Sequence, residues 1–179
     1  MFYATPSDPH FDSPIAPGVG CVISPRGAQG FLDPAHPGAV APRKRPRLTA
    51  APVIAFLDGS RPMPFGSPGG DVQLQAMLQV FVAVTVFGMP LHEAIGAPRV
   101  ACWSCPDSFW PHGSSPGRVD AEARISAGVR EGLKSLGHGV KDWAGWDWRA
   151  GAVSAITVGA DGTRWAAADP RRDCHALAR

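Results

Sequence analysis

The feature that most constrains the fold is a glycine-rich turn between two apolar segments. The turn, Gly66 to Asp71, reads Gly-Ser-Pro-Gly-Gly-Asp, and it separates a short apolar run from a long one. This order predicts a strand that enters a helix through a turn where Gly69 and Gly70 carry no side chains. Their N–H groups would be unshielded at the positive end of the helix dipole, where they could stabilise an oxyanion. The alternative is a tight turn that needs positive φ.

The remaining hydrophobic pattern predicts a mixed α+β fold in which helices pack on an antiparallel sheet. Asp71 is expected to cap the following helix rather than to act as an acid. The region 97–124 reads as a loop rich in Trp, Pro and Ser. The predicted strands are 20–24, 52–57, 63–65, 152–158 and 163–168, and the predicted helices are 72–87, 91–95 and 126–136.

Length and composition exclude several classes of protein. The chain has 179 residues, of which 45% are hydrophobic, and we expect a single domain over 1–179. A net charge of +2 is too small to hold nucleic acid. The longest apolar run, 76–91, is too short to span a membrane. Four cysteines are too few for a disulfide scaffold, so the compartment stays open.

Segments in a fixed order carry a resemblance to one enzyme family. They include Pro42 to Pro46, Pro52 to Gly59, Phe65 to Asp71, Ala97 to Arg99 and Ala168 to Arg172. Together they resemble the small-subunit part of the γ-glutamyltransferase (γ-glutamyltranspeptidase) family, over nearly the whole chain. The resemblance implies a partial αββα sandwich of the N-terminal-nucleophile hydrolase type. It also implies acyl transfer or amide hydrolysis, on γ-glutamyl or related amides such as glutathione, without metal or cofactor.

The resemblance also implies that part of the enzyme lies elsewhere. In the family, a precursor cuts itself, and the new N-terminal Thr becomes the nucleophile. Thr5 and Ser7 match a Thr-x-Thr-like pair that lies just after that nucleophile, so the nucleophile would precede Met1. We therefore expect a C-terminal fragment that needs a large-subunit part, fused or separate, and that is inactive alone. Thr5 itself as the nucleophile would require removal of four residues.

Other site residues follow from the same resemblance. Ser7 is expected to support the missing nucleophile, and Thr49 and Gln29 are expected to contact the substrate. The segment Arg26 to Phe31 has no carboxylate where typical members hold the substrate's α-amine, and Leu48 and Thr49 stand where they use paired serines. Both departures place γ-glutamyl specificity in question. The alternatives are a local turn at Ser7 and a backbone-bonded hydroxyl at Thr49.

Two other functions stay open. The chain could be a non-catalytic remnant or interaction subunit with the same fold. Cys102 and Cys105 form a C-x-x-C pair, which could belong to a metal or redox module, although two further metal ligands at standard spacing are missing. The basic run at 43–47 is interpreted as a loop of the family in which Arg43 replaces a Gly. If that position needs positive φ, Arg43 is strained.

Overall fold

A computed structural model describes residues 17–18, 25–47 and 50–177. The predicted strand at 20–24, together with Thr5, Ser7 and Thr49, lies outside these residues. The described residues fall into two compact units. The smaller unit contains 25–47 and 107–113, and the larger one contains 50–106 and 114–177.

A four-stranded antiparallel sheet forms one layer of the larger unit. Its strands are β1 (Val53–Leu57), β2 (Arg61–Gly66), β6 (Ser154–Val158) and β7 (Arg164–Ala167), in the order β1-β2-β6-β7. Both predicted hairpins are therefore confirmed. The first turns at Asp58 and Gly59, which have φ values of 51° and 74°. This left-handed conformation explains the Asp-Gly pair, because Asp and Gly tolerate it best.

Two helices cover the inner face of this sheet. Helix α1 (Val72–Thr85) and helix α2 (Leu91–Gly96) confirm the two helices predicted there. Helix α1 ends at Thr85, slightly before the predicted end at 87, and Gly88 with φ of 65° lies just beyond it. Met63, Phe65 and Ala155 of the sheet pack with the buried side of α1 and α2. That side of α1 consists of Val72, Gln73, Ala76, Met77, Val80 and Ala83.

The prediction of a loop at 97–124 is wrong, because this region contributes to a second sheet. Strands β3 (Val100–Cys102), β4 (Arg118–Glu122) and β5 (Gly139–Trp143) form it in that order. Strands β4 and β5 are parallel, and neither was among the predicted strands. The hydrophobic pattern did not predict β4, because two of its buried residues, Asp120 and Glu122, are charged rather than apolar.

Helix α3 (Ala127–Ser135) connects the two parallel strands. Its position was predicted, and Ser126 caps it by accepting a hydrogen bond from Val129 N at 3.3 Å. The expected apolar side does not enter the core, since Val129 is 55% and Leu136 78% exposed. No helix among the described residues reaches the length and hydropathy that a bilayer span requires.

Two glutamines of α1 close the free edge of β3. Gln79 accepts from Val100 N at 3.0 Å and donates to Val100 O at 2.9 Å. Gln75 makes the same pair of bonds with Cys102, at 2.7 and 3.1 Å. A side-chain amide carries one acceptor and two donors, so each glutamine replaces the peptide group of a neighbouring strand. The edge of β3 is therefore satisfied without a fourth strand.

The smaller unit is mostly irregular. It begins with a short 3₁₀ helix (Pro25–Gln29) and contains an isolated bridge between Phe31 and Ala39. Arg43 has φ of 60°. This is the conformation anticipated for a family Gly at this position, and a non-glycine residue adopts it only with strain.

We expect Gln79→Leu to destabilise the larger unit by about 1–3 kcal/mol, because it leaves the N–H and C=O of Val100 unpaired. The free energy of unfolding from urea titration measures this loss. Leu74→Ala, at an exposed position of the same helix, should change it by less than about 0.5 kcal/mol. Equal effects of the two substitutions would contradict the edge-closing role.

Candidate active site

The glycine turn between β2 and α1 presents two backbone donors. Gly69 has φ of 132° and Gly70 has φ of 57°. Their carbonyls accept hydrogen bonds from Val72 N at 3.1 Å and Gln73 N at 3.2 Å, in the first turn of α1. Among the described residues, the N–H groups of Gly69 and Gly70 donate to no backbone or side-chain acceptor. Two adjacent N–H groups at a helix start are thus available to an anion.

The expectation that the Asp71 side chain caps α1 is wrong. Asp71 occupies the N-cap position, but its side chain makes no capping hydrogen bond. Its dihedral angles, φ −72° and ψ −10°, are helical. A capping residue normally has extended dihedrals, which aim its oxygen at the N–H groups of the first turn. The preceding glycines bring the chain into the helix by a different path.

A segment from Ala150 to Val153, here called the strap, lies against the glycine turn. Ser67 Oγ accepts from Ala152 N at 2.9 Å and donates to Pro68 O at 2.7 Å. Gly151 has φ of 83°, and a Cβ there would lie 2.8 Å from Ser67 Oγ and 3.1 Å from Ala76 Cβ. A Cβ at Gly69 would lie 3.4 Å from Gly151 Cα. The turn and the strap are therefore in close backbone contact.

Two buried side chains hold the strap on its other side. Arg99 Nη1 donates to Ala150 O at 3.0 Å, and Asp169 Oδ2 accepts from Val153 N at 2.9 Å. Arg99 and Asp169 also form an ion pair at 2.7 Å. With the bond from Ala152 N to Ser67 Oγ, hydrogen bonds therefore hold three of the four residues of the strap.

Arg99 and Asp169 belong to a buried cluster of four charges. Arg171 pairs with Glu122 at 2.6 Å and with Asp169 at 3.1 Å, and all four side chains are at most 2% exposed. Charge pairs of Asp169 and Arg171 thus tie the segment after β7 to the rest of the unit. Buried charges are tolerated only when they are paired and hydrogen-bonded, and this cluster contains two of each sign.

Glu122 accepts hydrogen bonds from Arg171, Arg124 and the backbone N–H groups of Arg99 and Asp147. Burial alone raises the pKa of its carboxyl, but hydrogen bonds from Arg171 and from the backbone N–H groups of Asp147 and Arg99 outweigh burial. The net pKa therefore lies below the ordinary value of a glutamate. The ionised form of Glu122 is the one that stabilises the fold.

The structure brings together only part of the predicted site. Gly69 and Gly70 have the geometry described above, whereas Ser7 and Thr49 lie outside the described residues. Gln29 belongs to the smaller unit and is 1% exposed. Neither its side-chain nitrogen nor its side-chain oxygen has a hydrogen-bond partner in the described part of the chain.

Sequence reasoning missed three groups that organise the turn: Ser67, Gly151 and the pair Arg99–Asp169. Ser67, Arg99 and Asp169 bond to strap residues 85, 51 and 16 positions away along the chain, so no local pattern reveals them. The one available signal was Gly151 immediately before an apolar strand, a position where close backbone approach is common.

The C-x-x-C pair is exposed, with Cys102 at the end of β3 and Cys105 in the loop that follows. Cys102 and Cys105 are free thiols, and a hydrogen bond with Ser104 lowers the pKa of Cys102. Within 17–18, 25–47 and 50–177, no group of three or more His, Cys, Asp or Glu side chains could hold a metal ion. The described residues therefore offer no assembled site for a metal module.

A family model described as Gamma-glutamyltranspeptidase matches residues 21–178. The chain belongs to this family. The resemblance carried by the sequence motifs and the expected fold class are thereby confirmed. The family is enzymatic, and amide hydrolysis or acyl transfer is its chemistry.

Individual relatives agree with this assignment. The chain is 35% identical over 157 residues to the oxamate amidohydrolase proenzyme of Klebsiella pneumoniae, covering 88% of this chain and 29% of that protein. It is 31% identical over 135 residues to the glutathione hydrolase proenzyme of Escherichia coli, covering 74% and 20%. A solved γ-glutamyltranspeptidase from Pseudomonas nitroreducens superimposes with a TM-score of 0.73 at 24% identity, covering 92% of this chain and 85% of that one. The chain spans less than a third of these curated relatives.

We expect Glu122→Gln to cost about 3–5 kcal/mol at pH 7, because it leaves Arg171 without its full countercharge. Since the pKa of Glu122 is lowered in the folded state, its contribution should be lost as the pH falls below about 4. The variant should therefore show a flatter decline of unfolding free energy between about pH 5 and pH 3.

Denaturant titration at several pH values measures both effects. Glu131→Gln, in an exposed pair with Lys134, is the matched control and should change the unfolding free energy by under about 0.5 kcal/mol. A Glu122→Gln variant as stable as the unsubstituted chain at pH 7 would contradict the role of the cluster.

Proposed function

We propose that this chain is the small-subunit part of an N-terminal-nucleophile amidohydrolase or acyltransferase. In this proposal a preceding segment supplies the Thr nucleophile, and Gly69 and Gly70 form the oxyanion site. The observation that carries the proposal is the pair of adjacent N–H groups at the start of α1 that have no acceptor among the described residues. Family membership supports it, because acyl transfer requires such donors.

In the proposed reaction, the two N–H donors stabilise the negative charge of the tetrahedral intermediate. The Thr hydroxyl attacks the amide carbonyl carbon while the α-amine of that Thr accepts its proton. The carbonyl oxygen becomes an oxyanion, which the N–H groups of Gly69 and Gly70 stabilise. The carbon–nitrogen bond then breaks, the α-amine returns the proton to the departing amine, and an acyl-enzyme remains. Water or a second amine attacks this ester and releases the acyl group.

The substrate is proposed to be a small amide, and its acyl group need not be γ-glutamyl. Two relatives are named for different substrates, oxamate and glutathione, so the family accommodates more than one acyl group. The segment Arg26 to Phe31 offers no carboxylate that could hold an α-amine. Gln29 stays an expected substrate contact on the family resemblance alone.

The proposed partner is the large-subunit part of the same precursor, fused or separate. Two apolar surfaces of the larger unit are uncovered. Ile54 and Phe56, each 63% exposed, lie with Ile156 on the sheet face opposite the core. Leu74 and Leu78 of α1, and Val86 and Phe87 just after its end, are also exposed. Exposed apolar patches mark interaction sites. The matched relatives are proenzymes more than three times as long as this chain, which supports one polypeptide as the source of the cover.

The activity test uses the protein expressed from its complete coding region. We expect Gly69→Ala to lower kcat for amide hydrolysis by about 10²–10³-fold, because the methyl group disturbs one oxyanion donor. Gly162→Ala is the control, since Gly162 also has positive φ, at 83°, with nothing near its missing side chain. Both variants carry a similar backbone strain, but only the first should lose activity.

Complete absence of amidase and transferase activity in the unsubstituted protein would favour the non-catalytic alternative. Activity that Gly69→Ala leaves intact would retain the enzyme and reject its oxyanion site.

The partner test places a charge on the uncovered sheet face. We expect Phe56→Glu to abolish or severely weaken association with the large-subunit part, because it would bury an unpaired carboxylate. Co-purification and analytical ultracentrifugation measure association, and circular dichroism verifies folding of the chain. Val129→Glu, at an exposed position of α3, is the control and should associate normally. Normal association of Phe56→Glu would show that this face is not the interface.

A further inference from the structure

The orientation of each proposed oxyanion donor is fixed by a bond to the carbonyl of its own peptide group. A peptide unit is planar, and in a trans unit the C=O and the following N–H point in opposite directions. The N–H of Gly70 shares a unit with Gly69 O, which accepts from Val72 N in α1. The N–H of Gly69 shares a unit with Pro68 O, which accepts from Ser67 Oγ at 2.7 Å. A bond that fixes Gly69 O or Pro68 O therefore also fixes the direction of the N–H group in the same peptide unit.

In its bond with Pro68 O, the Ser67 hydroxyl is the donor. Its oxygen accepts from Ala152 N at 2.9 Å, so the hydroxyl proton is directed to Pro68 O. Ala152 is in turn held in the strap, whose neighbouring residues bond to Arg99 and Asp169. The plane of the Pro68–Gly69 peptide is thus coupled to a buried, rigid part of the larger unit.

We propose that Ser67 is a positioning residue that orients the Gly69 N–H toward the oxyanion by fixing the Pro68–Gly69 peptide plane. This inference rests on the function proposed above. Ser67 does not contact the reacting atoms; it acts through the peptide that follows it. Gly151 completes the arrangement, because a side chain there would push against Ser67 Oγ at 2.8 Å.

Without the Ser67 hydroxyl, the Pro68–Gly69 peptide plane can rotate. The Gly69 N–H then points away from the oxyanion in part of the population. A misplacement of about 1 Å in a catalytic group can cost about 10²-fold in rate. The substrate's ground state relies on its other contacts, so binding should change little. The predicted signature of Ser67→Ala is therefore a fall in kcat of about 10–100-fold with KM changed by less than about 3-fold.

The test measures kcat, KM and amide hydrogen exchange on the protein expressed from its complete coding region. Ser67→Ala should also speed exchange at the Ala152 amide, which loses its acceptor, by about 10-fold or more. Ser67→Thr keeps the oxygen and should restore most of kcat. Gly151→Ala keeps the hydroxyl but crowds it, and it should reproduce the fall in kcat. Ser135→Ala removes a hydroxyl that bonds to a backbone carbonyl in α3 and should change nothing.

The outcomes separate this inference from the function on which it rests. A fall in kcat at constant KM, faster exchange at Ala152 and recovery in Ser67→Thr support the positioning role. Unchanged kcat in Ser67→Ala, in an active parent protein, overturns the positioning role and leaves the proposed function standing. Loss of kcat together with a large rise in KM and a lowered Tm in both Ser67→Ala and Gly151→Ala also overturns it, in favour of a general structural role. A parent protein without activity overturns the proposed function, and the positioning role with it.

Discussion

The arrangement of the larger unit depends on the buried pairing of Arg99 and Arg171 with Glu122 and Asp169. These side chains come from the segment between α2 and β3, from β4 and from the segment after β7, three places distant along the chain. Breaking such a cluster leaves an uncompensated buried charge, which is among the most costly single changes a fold can suffer. Because Arg99 and Asp169 also bond to the strap, the same pairing that orders the core orders the glycine turn.

The candidate site is built almost entirely from backbone. Its proposed donors are N–H groups, and the groups that aim them are carbonyls, a serine hydroxyl and the packing of Gly69 against Gly151. Donors of this kind need no reorganisation when charge develops on a substrate oxygen, because their dipoles are already held in place. Glycine is favoured on both sides of the contact for different reasons. A Cβ at Gly151 would lie 2.8 Å from Ser67 Oγ, and the φ of 132° at Gly69 disfavours any side chain.

Local patterns predicted the local parts of this structure. Both hairpins, α1, α2, α3 and the glycine turn follow from apolar runs, turn residues and Gly88 or Ser126 at helix ends. Strands β3, β4 and β5 were missed because they depend on long-range pairing, and β4 buries Asp120 and Glu122 instead of apolar residues. For the same reason the sequence indicated Gly69 and Gly70 but not the strap that positions them.

The hydrogen bonds of Gln75 and Gln79 to β3 limit the addition of strands to the three-stranded sheet. Gln75 and Gln79 occupy the peptide groups of Val100 and Cys102 that a neighbouring strand would need. A strand contributed by another part of the polypeptide therefore cannot extend this sheet beyond β3 unless both glutamines withdraw. Edge-to-edge association of two molecules through the β3 margin is suppressed for the same reason.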